Sequence, residues 1–239
     1  MLSDPESKTI RAFGVLNDNV PLSHPMYGFS YPGTFIVDRE GVVRSKYFET
    51  QGLQDRYSAP TILLQEGGSV SGTRQTVVST DHLELKYYST QDVVVPQLRF
   101  TLVADFTLKP QMHVYAPGVQ HYIPIRLELD SSPHYTLQPM VYPKPETLYL
   151  APIQETVAVY KDKFRISQEV TMAGTEALQP ILNSTREVTI SGLLHYQACD
   201  DKMCYLPQSV RMEWLLKAEP LDWERPPEQI QHNLNITQQ

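Results

Sequence analysis

Tyr196-Gln197-Ala198-Cys199-Asp200-Asp201-Lys202-Met203-Cys204-Tyr205-Leu206-Pro207 holds both cysteines of the chain, with four residues between them. Before it, Val188, Ile190 and Leu194 with Thr189 read as a strand. After it, Val210, Met212 and Trp214 alternate with charged residues and read as another. Asp200 to Met203 is then a polar turn, and the cysteines stand opposite each other across it. Facing residues of an antiparallel pair have Cα atoms about 4.5 or 5.5 Å apart, and a disulfide accepts about 4.4–6.8 Å. The pair can be bridged without moving the backbone.

Three readings of the pair follow. A structural bridge closing so short a loop removes little unfolded-state entropy, on the order of 2 kcal/mol, and a domain with a proper core hardly needs it. A zinc site wants four ligands, or three and a water, yet only His195 lies nearby in sequence, roughly 13 Å from Cys199 if both share a strand. No metal and no cofactor are expected. A redox-active pair is the preferred reading, with the structural disulfide as its alternative.

The 239 residues allow one large domain or two. A hydrophobic content of 41% can build a core. The net charge of −7 argues against nucleic acid or an anionic membrane surface as the main partner. No run of 18 apolar residues is present, so no membrane span is expected. Met1-Leu-Ser-Asp-Pro-Glu has neither the basic start nor the apolar stretch of a signal peptide. If Met1 is the true start, the cytoplasm is expected, where a stable disulfide is unusual. If the amino terminus is truncated, the periplasm is open.

The first sixty residues read as part of a larger unit. Ser3 or Asp4 caps a short helix through Phe13, with Pro5 in its first turn. Thr34–Val37 and Val42–Phe48 form a hairpin around Asp38-Arg-Glu-Gly41, and a helix from Ser58 to Leu64 ends at Gly67-Gly68. One hairpin with two helices cannot bury both faces of its sheet.

Leu2-Ser-Asp-Pro5, Ile10-Arg-Ala-Phe-Gly-Val15 and Tyr31-Pro-Gly-Thr-Phe-Ile-Val-Asp38 with Gly41-Val-Val-Arg44 resemble the carboxy-terminal half of a redoxin. This is the peroxiredoxin-like (AhpC/TSA) branch of the thioredoxin fold. The resemblance covers about residues 1–65 and implies a cis proline beside the active site, for which Pro32 occupies the matching place. It also implies a reactive cysteine in the first half of the domain. No cysteine precedes Cys199, so no peroxidase activity is expected from this chain alone.

Gly67 to Thr73 reads as a linker. Beyond it come short apolar strands at regular spacing: 77–78, 82–89, 97–106, 123–129, 136–142, 164–172, 188–196 and 209–216. Proline and glycine punctuate them, and long helical patterns are absent. The expected class is mainly β, an immunoglobulin-like sandwich preceded by a partial thioredoxin-like α/β fragment. The expected units are 1–66, a linker at 67–74, the sandwich at 75–218 and a polar tail at 219–239.

Met112-His-Val-Tyr115-Ala-Pro117, Tyr160-Lys-Asp-Lys-Phe164 and the cysteine stretch are similar to the amino-terminal domain of DsbD-type thiol:disulfide interchange proteins. There an immunoglobulin-like sandwich carries a cysteine pair that passes electrons between a thioredoxin-like donor and oxidised partners. The resemblance makes Cys199 and Cys204 the exchanging pair, with Cys204 the attacked sulfur and Cys199 its resolving partner. It implies a thioredoxin-like or peroxiredoxin-like partner, and places the protein among antioxidant and redox-homeostasis proteins. The type member has five residues between its cysteines, whereas this chain has four.

Asp200 and Asp201 flank Cys199, and a nearby anion disfavours thiolate. Cys204, between Met203 and Tyr205, has no adjacent anion and is the easier sulfur to approach. The resemblance also implies a shielding loop with an aromatic cap. The matching region is about Pro145 to Ile153, with Tyr149 or Ile153 as the cap. Tyr115, Tyr122, Tyr160, Tyr196 and Tyr205 read as core and rim aromatics that shape the site, and His113 and His121 as surface or loop histidines.

Overall fold

The computed structural model describes residues 8–17, 20–21, 23–24, 27, 30–31, 33–48, 57–68, 70, 73–150 and 154–222. Two antiparallel sheets carry the core. The first contains β3 (Gln75–Ser79), β4 (Leu83–Ser89), β6 (Arg99–Leu108), β12 (Lys163–Met172) and β9 (Tyr135–Val141), in that spatial order. The second orders β5 (Val93–Val94), β15 (Gln208–Ala218), β13 (Glu187–Tyr196) and β8 (Arg126–Leu129), with β5 joining parallel to β15.

Alternation decides which side chains meet between them. In β6, Phe100, Leu102, Ala104 and Phe106 point inward; in β13, Val188, Ile190 and Leu194 do the same. Tyr87 of β4 meets Trp214 of β15 edge to face, with ring centroids 5.1 Å apart. Gly192 lets β8 close on β13, since a Cβ there would lie 2.5 Å from Leu129 Cδ2 and 2.7 Å from the Glu128 carbonyl oxygen. The result is an immunoglobulin-like sandwich, and the mainly β class follows directly.

A third, smaller sheet orders β10 (Glu146–Leu150), β11 (Glu155–Lys161), β7 (His113–Tyr115) and β14 (Ala198–Cys199). One face joins the main core through Val114, Tyr160 and Ala198. The other carries a separate cluster of Tyr115, Val157, Val159 and Cys199. The region expected as a shielding loop is thus in part strand β10, hairpinned to β11 through the register pair Leu150–Glu155. Its proline flanks hide a Thr-Leu-Tyr-Leu run of ordinary strand character. Helix α3 (Thr175–Leu182) was also not foreseen. Eight residues with an internal Pro180 give little helical signal, and it is held by burying Leu178 and Leu182 on one face.

The amino-terminal elements are α1 (Lys8–Ala12), β1 (Gly33–Val37), β2 (Val43–Phe48) and α2 (Ala59–Gln65). Ser3, Asp4, Pro5 and Pro32 lie outside the described residues. Ser58 caps α2 by accepting the Thr61 N–H at 3.3 Å, with Pro60 in the first turn. This helix does not stay with the hairpin alone. The Ser58 N–H donates to the Arg99 carbonyl, and the Thr61 hydroxyl bonds those of Ser58, Thr90 and Thr101. Leu64 packs on Tyr88 and Val103, which face away from the main core. The helix therefore covers the outer face of the five-stranded sheet.

Candidate functional site

The two long strands leading into the cysteine stretch pair from Glu187–Lys217 to Tyr196–Gln208. There the register slips. Cys199 lies three positions after Tyr196, but Cys204 lies four positions before Gln208. With that slip the chain leaves the second sheet, and β14 pairs instead with β7, setting Cys199 opposite His113 and Ala198 opposite Val114. A one-residue slip reverses the faces of all following side chains on one strand. Tyr196 and Ala198 look into the main core, whereas Cys199 looks into the small outer cluster.

The turn is held by Asp200. Its N–H donates to the Met203 carbonyl at 2.9 Å, and its Oδ1 accepts the backbone N–H groups of Lys202 and Met203 at 2.7 and 2.8 Å. Its Oδ2 accepts the Tyr205 hydroxyl at 2.9 Å. These donors, Met203 first, hold the Asp200 carboxyl below the usual carboxylate range. The same bond pushes Tyr205 above the ordinary phenol value. The Asp200 anion is thus engaged by three donors. The Tyr205 ring lies against His82, 4.4 Å between centroids. Asp201 stands exposed at the tip.

Cys199 and Cys204 form a disulfide, with Cα atoms 4.0 Å apart, closer than the facing-pair distances expected from the sequence. The two sulfurs have unlike surroundings. Cys199 is 1% exposed, among Tyr115, Val157 and Val159. Cys204 is exposed, with Met203 at 56% and Leu206 at 85% beside it. The Tyr115 hydroxyl lies 3.8 Å from Cys204 Sγ. Burial, with Glu155 second, raises the Tyr115 phenol. It therefore stays protonated and able to donate to sulfur. Tyr122 stacks on Tyr115 at 4.2 Å, and its hydroxyl donates to Glu155 at 2.7 Å, which pushes its own pKa up to about 12.

Tyr149 is not brought to the disulfide. It lies on β10, at the opposite edge of the third sheet from β14, and is 60% exposed. Its neighbours Leu148 and Leu150 point the other way and pack on the cluster that holds Cys199. Strand alternation sends Tyr149 outward because those leucines go inward. Ile153, the other expected cap, lies outside the described residues. Tyr196 is a core residue, its hydroxyl bonded to Thr80 Oγ1 at 2.8 Å and Gln208 Oε1 at 2.5 Å. His195 Nδ1 shares a hydrogen bond with the Ser209 hydroxyl at 2.8 Å.

His113 is the residue the sequence misplaced. It is not a surface histidine: it is 2% exposed, and its Nε2 has no hydrogen-bond partner among the described residues. The Met-His-Val-Tyr alternation carried the signal, since it puts His113 on the face of Tyr115. Their rings meet edge on at 5.6 Å. His121 is exposed, in a left-handed turn position at φ 67°. Among the described residues no group of three or more His, Cys, Asp or Glu is arranged to hold a metal ion.

Residues 85–215, more than half of the chain, match the family model of the thiol:disulfide interchange protein DsbD, N-terminal. The chain belongs to this family. Residues 1–46 match the AhpC/TSA family. Among solved structures, the chain is similar to the N-terminal periplasmic domain of ScsB from Proteus mirabilis, at 12% identity and a TM-score of 0.40. That likeness covers 61% of this chain and 52% of the other, so the chain spans about half the length of that relative. No curated protein matches the chain. Among the described residues, no helix is long and apolar enough to cross a membrane.

Proposed function

We propose that the protein is a thiol–disulfide exchange module, its Cys199–Cys204 pair trading electrons with a thioredoxin-like or peroxiredoxin-like protein. The observation that carries this reading is the asymmetry of the bridge. A bridge that only trims a hairpin gains little from presenting one sulfur to solvent, whereas exchange requires a thiolate to approach along the S–S axis. Cys204, exposed and rimmed by Met203 and Leu206, is the sulfur a docked partner reaches. Cys199, buried behind it, is the leaving and later the resolving sulfur. In the reduced protein the Tyr115 hydroxyl, 3.8 Å from Cys204 Sγ, is placed to donate to a Cys204 thiolate, the form that attacks an oxidised partner. The apolar rim suits the shallow apolar surface around a redoxin's own cysteine, and docking there excludes water from the reacting sulfurs.

The AhpC/TSA segment contains no cysteine, so the partner's sulfur comes from another chain or another part of a longer one. Tethering of that kind raises effective concentration to about millimolar. An oxidising compartment such as the periplasm is where this pair persists as a disulfide.

The test is mechanism-based trapping. Cys199→Ala should hold a mixed disulfide with a thioredoxin-like donor through Cys204, seen as a reductant-sensitive band on non-reducing gels. Cys204→Ala should trap little. If both variants stay inert and the oxidised pair resists strong reductants, the bridge is structural and the protein is a non-catalytic β-sandwich interaction module.

A further inference from the structure

We propose that His113 is the proton acceptor for Cys199 in the reduced protein, an assignment that rests on the exchange reading above. The two residues are register partners on β7 and β14, so their side chains leave the same face of the sheet with Cβ atoms about 4.5–5.5 Å apart. A buried polar atom without a partner is uncommon and unfavourable. The Nε2 of His113 is such an atom here. The oxidised state explains it. A sulfur in a disulfide has no proton to give, whereas a Cys199 thiol on the same face has one.

The surroundings fit the role. Burial first, then the Lys161 ammonium on the paired strand β11, lower the imidazole pKa, opposed by the Asp201 and Asp200 carboxylates of the turn. Tyr115 is the remaining titratable neighbour on its own strand. The imidazole therefore stays neutral at pH 7 and free to accept. Cys199 needs an acceptor, because its apolar pocket disfavours a thiolate.

The chemistry balances as follows. The Cys204 thiolate attacks an incoming disulfide, forming a mixed disulfide and releasing one thiolate. The Cys199 S–H gives its proton to His113 Nε2 as its sulfur attacks Cys204 Sγ. The Cys199–Cys204 bond forms, the second thiolate leaves, and the imidazolium returns its proton to water. The dithiol loses two electrons and the incoming disulfide gains them.

The experiment uses the full chain, reduced, and a small symmetrical aromatic disulfide in place of a protein partner. Release of the second aromatic thiolate reports the Cys199 step across pH. In the wild type, that rate should hold at neutral pH and fall only below about pH 6.5, where the imidazole takes up a proton. His113→Phe and His113→Gln should be about tenfold slower or more at pH 7, with the gap narrowing as the pH climbs past the ordinary thiol value of about 8.5 toward the higher one that burial imposes on Cys199. Profiles that run parallel at every pH would mean a purely structural histidine and overturn the assignment. Should neither variant fold, the wild type still decides: the His113 imidazole nitrogen shifts must change on reduction, and unchanged shifts reject the assignment. A disulfide that cannot be reduced overturns both this and the exchange reading. A reducible pair with a His113-independent profile overturns this one alone.

Discussion

The sandwich and the β1–β2 hairpin are built from strands of similar texture, yet among the described residues only the sandwich strands bury a core face. In β6 the inward residues Phe100, Leu102, Ala104 and Phe106 are buried against a second sheet. In β1 and β2 every residue is exposed or half-buried. Among the described residues, the Phe35 ring of β1 meets those of Phe13 and Phe48 edge on, at 5.1 and 5.6 Å. Alternation makes a strand; a facing layer makes it stable. Helix α2 shows the same rule from the other side. It follows the hairpin in sequence but is buried where a layer was free, on the outside of the five-stranded sheet.

Cutting the chain separates the two regions most decisively. Residues 57–218, which keep α2 with the sheet it covers, should unfold in one cooperative thermal transition. Residues 1–56 alone should show none, and a well-dispersed NMR spectrum from that piece would refute the contrast. Single truncations sharpen it. Phe100→Ala should cost about 3–5 kcal/mol in urea unfolding, while Phe35→Ala, half-exposed at the start, should cost less than about 1 kcal/mol. Equal losses would mean the hairpin has a core after all. The smallest effect concerns the docking of α2. Thr61→Val removes a buried hydroxyl shared by Ser58, Thr90 and Thr101 and should cost about 1–2 kcal/mol. A neutral substitution would show that apolar contact alone holds the helix.

Local pattern carried much of the fold. The strands around Ile190 and Trp214, the hairpin at Asp38–Gly41 and the Ser58 cap were all legible, because alternation, turn chemistry and capping are properties of a few adjacent residues. What escaped was short or masked by proline: β10 between Pro145 and Pro152, and α3 around Pro180. At the site, the cysteine pair and the acidic turn were readable in sequence. The expected part for Tyr149 was not realised, since which face of a strand turns inward depends on the neighbour that covers it. The sequence named the right segment, and Leu148 and Leu150, not the tyrosine, pack from it on the cluster that holds Cys199.

By itself, then, the sequence determined that this protein presents two cysteines across a four-residue polar turn at the end of a long β-pairing. Spacing and residue type suffice for that. Only the tertiary structure decided that one sulfur is buried and the other exposed. The register slip after Tyr196 hands Cys199 to a third sheet, and packing there buries it beside His113 and Tyr115 while Cys204 stays in solvent. Burial is a property of what comes from elsewhere in the chain. Here strand β7 arrives more than eighty residues before the cysteines, and no local pattern records that meeting.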